Sequence, residues 1–142
     1  MQSFHITAGW VAVGISILAA GFSLFTHYQL KAIKAYDNLD ELYLSVLKIG
    51  MESPRFVDPG LTRSYKKSFS DEERLQYEQY AFIAWNICET IYDRKKDKNV
   101  LESWRPGILA QDELHRGWFD ASENHGKFKE AFRSWIRKEF PH

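Results

Sequence analysis

The chain has 142 residues, 19 basic and 19 acidic side chains, 15% aromatic residues and one cysteine. Balanced, interspersed charge argues against nucleic acid as a partner, because such binders carry a basic excess or stripe. A lone Cys88 excludes an intrachain disulfide, and its place in an apolar helical pattern predicts a buried small hydrophobe rather than a catalytic thiol.

The average hides a sharp division, for the first charged residue is Lys31. Ile6 to Phe25 is uncharged and long enough to cross a hydrocarbon core, which takes about 20 apolar residues. The leader MQSFH lacks Lys and Arg, and the apolar run is longer than the hydrophobic region of a signal peptide. The expectation is a permanent transmembrane helix. Lys31 and Lys34 follow it and no basic side chain precedes it, so the positive-inside rule directs the C-terminal part to the cytoplasm. A single-pass inner-membrane protein is expected, with an N-terminal segment 1–29 and a cytoplasmic helical domain 30–142.

Within the span Ala8, Ala12, Ser16 and Ala20 recur every four residues. Small side chains at that spacing let a second helix approach closely, and packing drives association where lipid supplies no hydrophobic force. These four residues are the candidate helix–helix interface, toward another membrane subunit or a second copy of the chain. His5 and His27 flank the span, and the reading for both is a polar interface anchor rather than a tetrapyrrole ligand.

After the span, Leu30, Ile33, Leu39, Leu42, Val46, Leu47 and Ile49 form an apolar helical stripe that stops at Gly50. Pro54 and Pro59-Gly60 predict an irregular loop over 51–69. Ser70-Asp71-Glu72-Glu73 is a capping-box sequence opening a helix over about 70–95. Its apolar face is expected at Leu75, Phe82, Ile83, Ile87 and Ile91, with Tyr77, Tyr80, Ala81, Ala84, Trp85, Cys88 and Tyr92 extending it most of the way round. A short turn is expected to end near Trp104, Pro106 to open a further helix, and a last helix to present Phe128, Phe132, Trp135, Ile136 and Phe140 on one face. Lys127, Glu130, Arg133, Arg137 and Lys138 are assigned to its polar face. The fold class is all-α, about four helices around an aromatic core.

No phosphate loop, dinucleotide fingerprint, nucleophile elbow, CxxC or HExxH occurs in the sequence. Asp112-Glu113-Leu114-His115 approximates one half of a di-metal motif, but the second half is missing. No catalytic residue, metal or cofactor is therefore assigned. The densest polar stretch is DELHRGWFDASENH, in which His115, Trp118 and Phe119 are the candidate partner surface. The pattern Trp104, Leu114-His115, Trp118-Phe119, Phe128, Phe132 and Trp135 resembles small bacterial membrane-anchored helical domains of unknown function. The resemblance spans about residues 75–140, implies the fold and transfers no active site. The functional expectation is a non-catalytic accessory or scaffolding subunit of a membrane assembly. The alternative is a membrane-anchored signalling or defence effector that senses a ligand and self-associates.

Overall fold

The computed structural model describes the backbone of residues 3–94 and 96–141 and the side chains of 20–27, 29–30, 38–94 and 96–141. The architecture is all-α, with no strand among the described residues. Helices α1 (Ser3–Glu52), α4 (Asp71–Asp93), α5 (Lys98–Phe119) and α6 (Glu130–Glu139) are the long elements. Between α1 and α4 lie a 3₁₀ turn (Pro54–Val57) and two four-residue helices, α2 (Pro59–Thr62) and α3 (Tyr65–Ser68). A second 3₁₀ segment (Ser122–Lys127) joins α5 to α6.

The chain divides into two units, Met1–Asn38 and Leu39–His142. In the first, most of the expected span, residues 6–19, lies outside the described side chains, and so do Ala8, Ala12 and Ser16. Among the described residues no helix is long and apolar enough to cross a membrane. Phe22, Leu24, Phe25 and Leu30 are described and exposed, as is Ala20. In the second unit Leu39 is buried, and Leu30 of the first is exposed.

In the second unit α4 is central. Its start is fixed locally: Ser70 Oγ accepts from the Glu73 backbone N–H (3.3 Å) and the Glu73 carboxylate accepts from the Ser70 N–H (3.1 Å). The Ser70 backbone N–H holds the Glu73 carboxyl below its usual range. Ser70→Ala should cost about 1 kcal/mol in chemical denaturation, the usual value of an N-cap.

Every buried residue of α4 lies within the expected apolar surface, but two residues of its expected centre do not join the core. Tyr77, Tyr80, Ala81, Ala84, Trp85, Ile87, Cys88, Ile91 and Tyr92 point inward, whereas Leu75 and Ile83 are 63% and 39% exposed. Aromatic rings remove more apolar surface per residue than Leu or Ile. The interspersed Ala81, Ala84 and Cys88 let neighbouring helices come close. Burial also pushes the Cys88 thiol up, which keeps it protonated and unreactive.

Helix α5 is continuous through Pro106, contrary to the expected break. Asp97 caps it, its carboxylate accepting from the Asn99 and Val100 backbone N–H groups. Proline removes one backbone donor and costs about 3 kcal/mol inside a helix. Here burial on both sides of it offsets that cost: Val100 precedes, Ile108 follows, and Trp104 packs edge-on against Tyr43 of α1 (5.2 Å). The short helices α2 and α3 replace the expected irregular loop, with Phe56, Thr62, Tyr65 and Phe69 buried beneath them. At Gly50, a Cβ would lie 3.0 Å from both Tyr80 Oη and Val57 Cγ1, so the bare backbone permits this close approach.

The apolar face of α6 is as expected, with Phe132 and Ile136 buried and flanked by Phe128 and Phe140. Arg133, assigned to the polar face, is only 1% exposed. Its guanidinium lies over the Phe119 ring at 5.2 Å, a cation–π contact that partly offsets its desolvation.

Candidate functional site

The stretch 112–125 divides into an interior set and a rim. His115, Trp118 and Phe119, read from sequence as a partner surface, are each 0% exposed. That reading is corrected: they form the centre of the core. Helix periodicity explains it, since 111, 112, 115, 118 and 119 fall on one face of α5, the face toward α4. Phe119 stacks on Trp85 (4.0 Å, 23°), and Trp118 packs against Phe82 and Phe128.

His115 has the most constrained chemistry in the unit. Its Nδ1 is 3.0 Å from Tyr77 Oη, its carbonyl accepts from Trp85 Nε1 (3.3 Å), and the Tyr80 ring meets it edge-on at 5.3 Å. Burial alone pushes its pKa down to about 3, so the imidazole is neutral at ordinary pH. Burial likewise raises the Tyr77 phenol above its usual value. The side-chain hydrogen bond of this pair joins α4 to α5 and does not reach solvent. Sequence gave no signal for it, because the partners are 38 positions apart.

The rim is a chain of ion pairs. Arg116 binds the buried Asp112 and also Asp120 (2.6 Å), and donates to the Phe140 carbonyl (3.3 Å). Asp120 is 3.5 Å from Arg137. Glu123 pairs with Lys66, His125 Nε2 is 3.0 Å from the Asp120 carbonyl, and Asn124 donates to the Trp118 carbonyl. Asp112 is thus turned to Arg116 and His115 to Tyr77. Among the described residues no three His, Cys, Asp or Glu side chains converge as a metal site would require. The polar cluster read from sequence ties α5, α6 and the α2–α3 segment together.

A surface feature stands out instead on α1. Leu44, Leu47 and Met51 are 62%, 42% and 76% exposed and follow one another at helical spacing. The opposite face of the same turns, Leu39, Val46 and Gly50, is buried in the core. Of the expected stripe, Leu39 and Val46 face inward, Leu42 is partly exposed at the edge of that face, and Leu47 belongs to the outward face. No family model, curated protein or solved structure matches the chain.

Proposed function

We propose that the chain is a non-catalytic accessory or scaffolding subunit of an inner-membrane assembly. The uncharged segment 6–25 is its span, Lys31 and Lys34 orient the helical domain to the cytoplasm, and two surfaces engage partner subunits. One is the ladder Ala8, Ala12, Ser16 and Ala20 within the bilayer. The other is the apolar stripe Leu44, Leu47 and Met51.

The stripe is the observation that carries the reading. Three large apolar side chains adjacent on one helical face are an ordered patch, unlike apolar residues scattered singly over a surface. They belong to a helix whose other face already fills a core, so they are not needed for folding. Helix faces of this kind dock against a second helix through anchors at three- and four-residue steps.

Purification of the full chain from its native membrane in mild detergent tests the proposal. The expected result is a complex larger than the monomer, holding another membrane protein at fixed stoichiometry. A monodisperse monomer with nothing bound would overturn it.

A further inference from the structure

We propose that the outward face of α1 docks a helix of a second membrane protein whose apolar anchors are flanked by lysine or arginine, set against Asp40 and Glu41. The inference rests on the accessory-subunit reading and adds to it the charge of the partner.

The exposed row on this face begins with a carboxylate. Asp40, Leu44, Leu47 and Met51 follow one another at helical spacing, and all are exposed. Glu41, also exposed, flanks the row at the same end. One turn, about 5.4 Å along the axis, separates Asp40 from Leu44. A helix laid along Leu44 and Leu47 that runs one turn further therefore reaches Asp40. Drying an ionised carboxylate is costly unless a cation meets it.

Helix α1 does not supply that cation. Positions 36–38 and 43–45, three and four residues from Asp40 or Glu41, hold no Lys or Arg. Among the described residues neither carboxylate has an ion partner. Further along, Lys48 and Glu52 are paired at 4.0 Å and balance each other. The uncompensated charge of the face is thus negative and lies at its Leu39 end.

Two other occupants fit this charge poorly. A second copy held in the same membrane runs parallel to the first, so a two-fold pairing along the row sets Asp40 against Asp40. The cytoplasmic leaflet carries anionic lipid and repels carboxylates. A foreign helix with Lys or Arg at that height meets both demands, apolar anchors for the leucines and cations for the acids. Rim charge of this kind selects the partner more than it adds affinity.

The test joins charge reversal to zero-length cross-linking, both on the full chain in its native membranes. A carbodiimide couples a carboxylate to an amine in contact with it. The expected product links Asp40 or Glu41 to a lysine of a second protein, within a segment apolar at three- and four-residue steps. Asp40→Lys/Glu41→Lys should cut the partner recovered in mild detergent about tenfold at an unchanged Tm. The wild-type yield should fall about threefold between about 0.1 M and about 0.5 M salt, as screening shortens. A partner bearing only arginine gives no link and is still lost on charge reversal. A yield that reversal leaves unchanged or raises would overturn the proposal, as would links confined to lysines of this same sequence. A complex that survives reversal overturns the charge assignment alone, whereas a wild-type chain with nothing bound overturns the accessory-subunit reading itself.

Discussion

Trp85→Ala should destabilise the compact unit by about 3–5 kcal/mol and lower its Tm by about 15–30 °C. Trp85 is fully buried, stacks on Phe119, meets Phe132 edge-on at 6.2 Å and donates its indole N–H to the His115 carbonyl. Truncation leaves a cavity at the crossing of α4, α5 and α6 and removes the donor of a buried hydrogen bond. Trp85→Phe keeps most of the stacking area and should cost about half as much. The check is denaturant unfolding followed by circular dichroism. A loss under about 1 kcal/mol for the alanine variant would show that α4 is not the centre of the core.

Arg116→Met should cost about 3–5 kcal/mol, because it leaves the Asp112 carboxylate buried without its guanidinium. It also removes the Arg116 contacts to Asp120 and to the Phe140 carbonyl, leaving Arg137 as a partner of Asp120, so the end of α6 should loosen. The pair itself contributes much less than that figure. A double variant, Asp112→Leu/Arg116→Met, removes both charges and should recover most of the loss. Failure of the double variant to recover would place the role of Arg116 in its contacts with Asp120 and Phe140 instead.

What the sequence made legible was set by how local each signal is. The capping box at Ser70 acts within four residues, and the last helix has one clean apolar face, so both were readable. Helix α4 is apolar on nearly every side, and periodicity cannot then choose which side is inward. Of the residues the sequence marked as apolar, Ile87, Ile91 and the rings of Tyr77, Tyr80, Trp85 and Tyr92 are buried, while Leu75 and Ile83 are left exposed. Pro106 has a strong local meaning that packing on both sides of it overrode.

Interior chemistry was hidden for a related reason. His115, Asp112 and Arg133 are polar types that usually face water, and each is buried because a distant residue accommodates it. Tyr77 does so for the first, while Phe119 lies under the guanidinium of the third. Arg116 is close in sequence to Asp112, yet burial of that pair also depends on α6 closing over it. The outward stripe was half legible. Leu44 and Met51 lie off the apolar stripe read from sequence, and only the packing of Leu39 and Val46 separates the two faces of α1.

Docking of a membrane partner on the outward face of α1 is tested by the partner yield of the full chain from native membranes, compared between wild type and Leu44→Glu/Met51→Glu. Both positions are exposed, so the double variant should keep the wild-type Tm. The variant should still fractionate with the membrane and lose most of the bound membrane protein. An unchanged yield at an unchanged Tm would contradict it.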